Sequence, residues 1–241
     1  MATHVTAAVG MLRERDAHSV EEMDRPDCDP ARLDRTYAQF SVVNRAVAGW
    51  RGIYRTHLRP LLSADRVTTL LDIGCGGGDV AVLLAEWAAR DGRRLEITAI
   101  DPDRRALEFA LRRRRVDGVT FRQASTAELA TEGKRYDVVI SNHVLHHLDA
   151  ADLPRFLAES ALLSGGSVFH NDIRRSPAAY ALFYAASWPF RGSFIRPDGL
   201  TSIRRSYTTA ELQAAAPPGW AVAPRVPFRN LLTLSRNVRG D

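Results

Sequence analysis

Apolar side chains recur every three or four residues between positions 31 and 58, which is the period of a helix with one buried face. The apolar positions are Leu33, Tyr37, Phe40, Val43, Val47, Trp50, Ile53, Tyr54 and Leu58. Pro60 ends the pattern, since proline breaks a helix. Because this helical segment precedes the first predicted strand, it is a candidate cap over a site. The polar stretch before it, residues 1–30, is expected to be mobile or loosely docked.

From residue 67 onward, short apolar runs alternate with helical periods, which is typical of a parallel doubly wound sheet. The predicted strands span residues 67–73, 95–100, 119–123, 136–141, 167–172, 220–226 and 229–235. The predicted helices span residues 79–90, 103–115, 126–130 and 150–163, and Gly165-Gly166 is expected to stop the last of these. A capping box, Thr208 to Glu211, predicts one more helix that ends near Ala216.

Residues 174–206 interrupt this alternation. The first part is rich in aromatic side chains, namely Tyr180, Phe183, Tyr184, Trp188 and Phe190. The second part contains Gly192, Pro197, Asp198 and Gly199, which predict a loop. The segment is either a core helix with a surface loop or a lid over a substrate pocket. We therefore expect a tail and helical cap at 1–60, and a domain at 61–241 that carries the insertion at 174–206.

The composition is that of an ordinary globular protein, with 45% apolar and 25% charged residues. No apolar run approaches the roughly 20 residues that span a bilayer, so no membrane segment is expected. Two cysteines, Cys28 and Cys75, give no disulfide framework, and the N-terminus lacks a signal-peptide core, so a cytoplasmic location is expected. The net charge of +5 comes from arginines spread along the chain. We interpret the one dense run, at 112–115, as a solvated helix face and expect no nucleic-acid partner.

Residues 70–79, L-L-D-I-G-C-G-G-G-D, carry the clearest chemical signal. They lead from a strand through glycines into a helix, as in nucleotide-binding α/β folds. A dinucleotide turn reads G-x-G-x-x-G/A, whereas Asp79 stands at the third small position and would repel a pyrophosphate. With Asp72 before the turn, two carboxylates favour a cationic ligand. S-adenosylmethionine is such a ligand, because it carries a sulfonium and an ammonium group and no phosphate.

Asp101 is the second expected anchor of this ligand. It follows the apolar run 95–100, and an acid at that end of the second strand can accept hydrogen bonds from both ribose hydroxyls. Asp103, two residues later, is expected to cap the following helix.

Three motifs resemble the class I S-adenosylmethionine-dependent methyltransferases: residues 70–79, T-A-I-D at 98–101, and Y-D-V-V-I-S-N-H-V-L-H-H-L at 136–148. Y-T-T-A-E-L at 207–212 resembles the helix before their last strands. The chain is most similar to small-molecule methyltransferases of the ubiquinone, menaquinone and polyketide type, and residues 23–40 resemble bacterial polyketide-tailoring members. The resemblance covers about residues 60–235. It implies a Rossmann-like, seven-stranded sheet whose strand 229–235 runs antiparallel between two others.

The expected cofactor residues lie at the carboxyl ends of the first four strands, where ligands bind in such sheets. They are Asp72, Gly74, Cys75, Gly76, Gly78, Asp101, Pro102, Ser125, Ser141 and Asn142. Many relatives hold the adenine through an acid after the third strand, where this chain reads Gln123-Ala124-Ser125. Ser125 or a backbone group is therefore expected to bind the adenine.

Three histidines follow the fourth predicted strand: His143, His146 and His147. A histidine can remove the proton of a phenol or alcohol that accepts a methyl group, so all three are candidate catalytic residues. The alternative is a structural role, in which a histidine packs against its neighbours or caps a helix. The pattern H-x-x-H-H lacks a nearby carboxylate, and the acids at hand are already assigned to the cofactor, so no metal is expected.

The expected substrate contacts come from the cap, the insertion and the end of the fifth strand: Tyr37, Phe40, Asn171, Tyr180 and Tyr184. Each aromatic taken singly is more typical of a core, but together they favour a flat, aromatic small molecule. The favoured function is O-methylation in secondary metabolism. The open alternatives are transfer to carbon, nitrogen or RNA, a nicotinamide oxidoreductase, and a non-catalytic binding module; the oligomeric state is left open.

Overall fold

All strands of the structure lie in one sheet. The computed structural model describes residues 12–113 and 115–235, and only the backbone of Ala46. The strands are β1 (Thr68–Ile73), β2 (Leu95–Asp101), β3 (Val119–Gln123), β4 (Tyr136–Asn142), β5 (Ser164–Ile173), β6 (Trp220–Arg225) and β7 (Arg229–Ser235). Their order is β3-β2-β1-β4-β5-β7-β6. β7 runs antiparallel to both of its neighbours, β5 and β6, and the other four strand pairs are parallel, so the predicted doubly wound, seven-stranded fold is confirmed.

Helices cover both faces of this sheet. They are α1 (Pro30–Val47), α2 (Trp50–Ile53), α3 (Asp79–Arg90), α4 (Arg104–Arg112), α5 (Thr126–Thr131), α6 (Asp152–Leu163), α7 (Pro177–Ala186), α8 (Ile195–Arg205) and α9 (Thr209–Ala215). Asp103 caps α4, and Thr208 forms the predicted capping box with Glu211 at the start of α9. Within the described residues, no helix has both the length and the apolar character to cross a bilayer.

Each face of the sheet has its own apolar core. On one face, Leu84 of α3 and Trp50 of α2 pack in the same cluster as Leu70 of β1. On the other face, Leu157 of α6 packs in the cluster of Leu71. Leu70 and Leu71 belong to different cores because successive side chains of a strand point to opposite faces. Burial on both faces explains why the strands read as continuous apolar runs.

The cap is two helices rather than one. α1 ends at Val47, and the chain turns at Gly49, whose φ of 71° lies in the left-handed region. The chain then continues through α2, a π-helical turn (Tyr54–Leu58) and a 3-10 turn (Arg59–Leu61). The apolar periodicity crosses this break, because both helices bury their apolar sides, so the pattern alone does not show the turn.

Two expectations on loops and glycines are wrong. The predicted loop after Gly192 contains α8, since Pro197 lies in its first turn, where a missing N–H costs no helical hydrogen bond. Gly165 and Gly166 lie inside β5 and do not stop α6, which ends at Leu163. A Cβ at Gly166 would lie 2.6 Å from the carbonyl oxygen of Asp137, so glycine permits close strand pairing there.

The described part of the N-terminal stretch is docked, contrary to expectation. Leu12 and Glu21 are buried, and Asp198 of α8 accepts hydrogen bonds from the backbone N–H groups of Glu22 (2.8 Å) and Met23 (3.0 Å). Much of this docking uses hydrogen bonds and buried charged groups. The polar composition of the segment therefore did not indicate that it would dock. Residues 1–11, Arg114 of the arginine run and the predicted polar tail at 236–241 lie outside the described residues.

Candidate cofactor and acceptor site

The turn after β1 requires glycine for conformation and for space. Gly74, Gly76 and Gly78 have φ values of 67°, 51° and 73°. A Cβ at Gly74 would lie 2.6 Å from Val144 Cγ2, and one at Gly78 would lie 2.3 Å from Phe121 Cε1. The turn therefore approaches its neighbours as closely as backbone can, while Gly74, Cys75 and Gly76 line a cavity at the carboxyl edge of the sheet.

Asp101 at the end of β2 faces this turn. Its Oδ2 accepts a hydrogen bond from Gly76 N–H (2.8 Å), and its Oδ1 accepts one from Asp103 N–H (2.9 Å). Burial raises the pKa of Asp101, although these two hydrogen bonds oppose the change. Each carboxylate oxygen keeps acceptor capacity for a further donor. Asp101 and Pro102 line the cavity, so this capacity is available to a ligand with two hydroxyls.

Two further acids lie beneath the turn. Asp72 is 1% exposed, and its Oδ2 has no hydrogen-bond partner within the described residues. Burial, followed by repulsion from Asp79 and Asp101, raises the pKa of Asp72 well above its usual value. Asn44 of α1 donates to Asp79 Oδ2 at 2.9 Å, yet burial still raises the pKa of Asp79. Because a buried, unpaired carboxylate is costly, this pair favours a cationic group in the cavity.

The two predicted serines are engaged elsewhere. Ser125 Oγ donates to Glu128 Oε2 (2.8 Å) and caps α5, although the residue lines the cavity. Ser141 Oγ lies 2.8 Å from His170 Nδ1, buried outside the cavity lining. Asn142, the next residue of β4, lines the cavity, so Ser141 points to the opposite face of the strand. Ser125 or a backbone group therefore remains the prediction for the adenine, with Ser125 in the cavity lining.

A buried arginine organises the floor of the cavity. Arg229 of β7 donates to Asn142 Oδ1 (2.9 Å), to Asn171 Oδ1 (3.3 Å) and to His143 Nε2 (2.6 Å). Burial lowers the pKa of Arg229 to about 10, and Asp172 opposes this change. Within the described residues, no carboxylate forms an ion pair with Arg229. The wall of the cavity therefore contains a cation whose direct partners are all neutral.

His146 lies between two carboxylates. Its Nδ1 is 2.8 Å from Asp172 Oδ1, and its Nε2 is 3.3 Å from Glu21 Oε1. Burial alone would lower the pKa of His146, but Asp172 and Glu21 raise it to about 9. Burial alone would raise the pKa of Glu21, but His146 and His147 lower it to about 2. With no other cation between them, the two carboxylates favour a proton on the ring of His146, so the ring is not a free base.

His147 is less buried and has acids on both sides of its ring. Its Nδ1 is 3.2 Å from Asp24 Oδ2, and its Nε2 is 4.0 Å from Glu21 Oε1. The expectation that no carboxylate lies near the histidine motif is thus contradicted. The carboxylates come from residues 21–24 and from Asp172, which are remote in sequence from the motif.

The cavity has a volume of about 800 Å³ and continues from the glycine turn to the cap and lid helices. Its apolar wall includes Phe40, Val43, Leu182, Phe183, Ile203 and Phe228. Tyr37 also lines it, but at the cofactor end, since a Cβ at Gly76 would lie 3.7 Å from the Tyr37 ring. The helices α7 and α8 of the insertion therefore form part of this wall, as a lid would.

Three predicted substrate residues lie outside the cavity lining. Asn171 is buried below it and donates to the carbonyl oxygen of Ala48 (2.8 Å). Tyr180 packs in a cluster with Leu12 and Ile203, and Tyr184 is 55% exposed beneath the guanidinium of Arg196. Two other side chains of α7, Leu182 and Phe183, line the cavity. The aromatic content of the segment does not show which side of the helix faces the cavity.

Several cavity residues could not be predicted from the sequence. Asn44 lies on the predicted cap, but its hydrogen bond to Asp79 depends on how α1 docks over the turn. Arg229 begins the last strand, whose place between β5 and β6 brings it beside Asn142. Glu21 has no local signal at all. A polar residue inside an apolar stripe was the one available sign for Asn44.

Comparison with known proteins agrees with this geometry. Residues 70–164 match the family model described as a methyltransferase domain. The chain is 34% identical over 145 residues to a ubiquinone biosynthesis O-methyltransferase of Rhizobium leguminosarum, covering 54% of each chain. It is 34% identical over 158 residues to the protein of that name from Methylocella silvestris, covering 60% of this chain and 58% of the relative. The chain thus spans little more than half the length of these relatives.

Two solved structures share the fold at low identity. Magnesium protoporphyrin IX methyltransferase from Synechocystis, with S-adenosylmethionine bound, has a TM-score of 0.51 at 16% identity, covering 83% of this chain and 80% of that one. A plantazolicin methyltransferase in complex with a desmethyl analogue and S-adenosylhomocysteine has a TM-score of 0.55 at 12% identity, covering 98% and 99%.

Residues 70–164 therefore match the methyltransferase-domain class, whose members of known structure bind S-adenosylmethionine or S-adenosylhomocysteine. S-adenosylmethionine is the cofactor of this class, and the cavity fits it. Asp101 has acceptor capacity for the ribose, the glycines leave room for close approach, and the unpaired oxygen of Asp72 suits a cationic group.

Proposed function

We propose that this chain is an enzyme that transfers a methyl group to an oxygen of a phenolic, quinone-like or polyketide small molecule. The observation that carries the proposal is the cavity itself, which joins the cofactor turn to an apolar chamber under the cap and lid helices. Bound S-adenosylmethionine supplies a methyl group on a positively charged sulfur for in-line displacement. A largely apolar chamber suits a flat acceptor.

The chain's own residues contribute mainly position and charge. Much of the barrier to an in-line displacement is removed by holding two reactants in the correct geometry. Phe40 and Val43 of α1 and Phe183 of α7 enclose the acceptor side from opposite directions. We infer that these side chains orient the acceptor ring.

Arg229 and His143 favour an acceptor oxygen that carries negative charge. A guanidinium offers only donors, so His143 Nε2 accepts from Arg229 and the proton of the neutral ring resides on Nδ1. Both residues line the cavity. A phenolate beside them gains a buried cation and an N–H donor, which stabilise developing oxygen charge strongly in a dry site.

The relatives support oxygen as the acceptor atom. Two curated relatives that are 34% identical to this chain over 145 and 158 residues are named as O-methyltransferases of ubiquinone biosynthesis. That name describes those proteins over their full length, of which this chain covers little more than half. Polyketide tailoring in secondary metabolism rests on the resemblance of residues 23–40 and on the apolar chamber.

Mass spectrometry of product formation tests the proposal. The full chain is incubated with S-adenosylmethionine carrying a deuterated methyl group and with matched acceptors: a catechol, a hydroquinone, a resorcinol and the corresponding aminophenol. We expect labelled methyl ether with at least one hydroxylated ring, in the wild type and in Asp65→Asn, an exposed control, but not in Asp101→Asn. Labelling only at nitrogen, or no product although S-adenosylhomocysteine binds, would contradict O-methylation.

A further inference from the structure

Three side chains of the acceptor wall converge on one point. One ligand atom from each of Glu21, His146 and His147 lies within 4.8 Å of the other two, and Glu21 Oε1 is 3.3 Å from His146 Nε2 and 4.0 Å from His147 Nε2. The two histidines are adjacent in a 3-10 turn (Leu145–His147), with ring centroids 4.2 Å apart. Glu21 reaches them from the docked N-terminal segment and is held by Ser202 Oγ, which donates to Oε1 at 2.7 Å.

The other nitrogen of each ring is held by a different carboxylate. Asp172 Oδ1 lies 2.8 Å from His146 Nδ1, and Asp24 Oδ2 lies 3.2 Å from His147 Nδ1. These contacts direct both Nε2 atoms toward Glu21. Histidines that bind metals almost always donate their remaining N–H to a carboxylate, carbonyl or water, which fixes the ring and raises its basicity.

The spacing between Glu21 and His146 suits a bridging ion better than a direct hydrogen bond. Charged N–H···O hydrogen bonds are usually about 2.7–2.9 Å long. The 3.3 Å between His146 Nε2 and Glu21 Oε1 is longer. Two ligand atoms about 2.1 Å from a tetrahedral Zn²⁺ ion lie roughly 3.4 Å apart. The gap from His147 Nε2 to Glu21 Oε1 is wider, at 4.0 Å.

We propose that Glu21, His146 and His147 bind a divalent transition-metal ion of the Zn²⁺ type at the acceptor end of the cavity. Two histidines and one carboxylate are the ligand set of open zinc sites, which keep one position for water or substrate. All three ligands line the cavity, so that position faces the acceptor. An acceptor hydroxyl bound there becomes more acidic and releases its proton to solvent water. This role rests on the proposed function, whereas metal binding does not.

Direct measurement of metal content and coordination tests the site. The full chain is stripped with a chelator, dialysed against Zn²⁺ or Co²⁺, and analysed for bound metal and for the visible absorption of tetrahedral Co²⁺. We expect about one equivalent of metal and an intense Co²⁺ band, as an open three-ligand site requires. Glu21→Gln and His147→Ala should each weaken binding at least about tenfold.

The control is His18→Ala, which removes an exposed histidine from the same N-terminal segment. It should bind metal like the wild type. Should Glu21→Gln fail to fold, His147→Ala still decides, because the His147 side chain is partly exposed. Absence of metal in the wild type, or equal binding by His147→Ala, overturns the site.

Failure of the site and failure of the proposed function are distinguishable. Metal that binds without any methyl transfer leaves the site standing and contradicts the enzyme. Methyl transfer that is unchanged by the chelator, with no metal bound, leaves the enzyme standing and overturns the site. A chelator should not alter the affinity for S-adenosylhomocysteine in either case, since none of the three ligands lies on the glycine turn.

Discussion

Arg229 Nη1 donates a hydrogen bond to His143 Nε2 across 2.6 Å, where β7 meets the loop after β4. The donor can give only protons, so the imidazole of His143 must be neutral at this contact. Burial, and then the charge of Arg229, hold the pKa of His143 well below its usual value. The relationship excludes His143 as a base that gains a proton near neutral pH, and makes it a donor toward the cavity.

Arg229→Met is expected to destabilise the protein by about 3 kcal/mol, because the acceptors on Asn142, Asn171 and His143 lose a buried donor. Urea unfolding measures the change. Arg66→Met is the control, since Arg66 pairs with Asp137 at the surface and should cost no more than about 1 kcal/mol. Equal stability of the two variants would show that the Arg229 network does not hold the floor of the cavity.

Gly78→Ala is expected to remove cofactor binding. The new Cβ would lie 2.3 Å from Phe121 Cε1, at a backbone φ of 73°, so the turn must shift at a cost of about 1–3 kcal/mol. Gly52→Ala is the matched control, because a Cβ at Gly52 meets nothing within 4 Å. Calorimetry with S-adenosylhomocysteine checks both variants. Wild-type affinity in Gly78→Ala would mean that the turn is not the cofactor cradle.

Asp101→Asn should weaken S-adenosylhomocysteine binding by about 10- to 100-fold, a loss typical of a charged hydrogen bond. The asparagine amide has one acceptor oxygen, so it cannot serve both Gly76 N–H and Asp103 N–H. The exposed Asp65→Asn variant keeps the same change in charge and should bind normally. Similar affinities for the two variants would place the ribose elsewhere.

His170 gives the protein a pH-dependent stability. Burial lowers the pKa of His170 to about 3, so the folded state keeps it neutral while the unfolded chain gains a proton below about pH 6.5. Its contribution is complete above pH 6.5 and falls as the pH drops, by about 1.4 kcal/mol per unit. Between pH 5 and 6.5, the unfolding free energy of His170→Leu should fall less steeply than that of the wild type. Parallel slopes in urea titrations would contradict this.

Gly199 sets the distance between the lid helices. A Cβ there would lie 2.3 Å from Phe183 Cζ, so Gly199→Ala should separate α7 from α8 and cost about 1–3 kcal/mol. Because the glycine turn is untouched, S-adenosylhomocysteine affinity should stay within about twofold. The double variant Gly199→Ala with Phe183→Leu should regain most of the stability. No recovery would show that the ring is not the obstacle.

The sheet could be predicted because its signals are local. The strand 119–123, the helix 79–90 and the strand 229–235 end at the predicted residues, since each is an apolar run or helical period bounded by turn residues. The position of 229–235 between two neighbours came from the resemblance. The glycine turn, Asp72 and Asp101 could also be predicted from local signals, because ligands of such sheets bind to residues at the ends of strands.

The acceptor side could not be predicted in the same way. Glu21 meets His146 across 125 residues of sequence, and Asn44 meets Asp79 only because α1 docks over the turn. A second obstacle was to predict to which face of the sheet each side chain points, since Ser141 and Asn142 are neighbours in β4 whose side chains point to opposite faces. The aromatic composition of α7 led to the prediction of Tyr180 and Tyr184 as substrate residues. In the structure, the side of α7 that lines the cavity carries Leu182 and Phe183 instead.

The most direct test of the central claim compares two cofactors on the same protein by titration calorimetry. S-adenosylhomocysteine should bind the full chain at one site, with an affinity that falls in Asp101→Asn and Gly78→Ala. NAD⁺ should not bind, because Asp79 stands where a dinucleotide-binding turn has its third small residue. Binding of NAD⁺ without binding of S-adenosylhomocysteine would contradict a methyltransferase site.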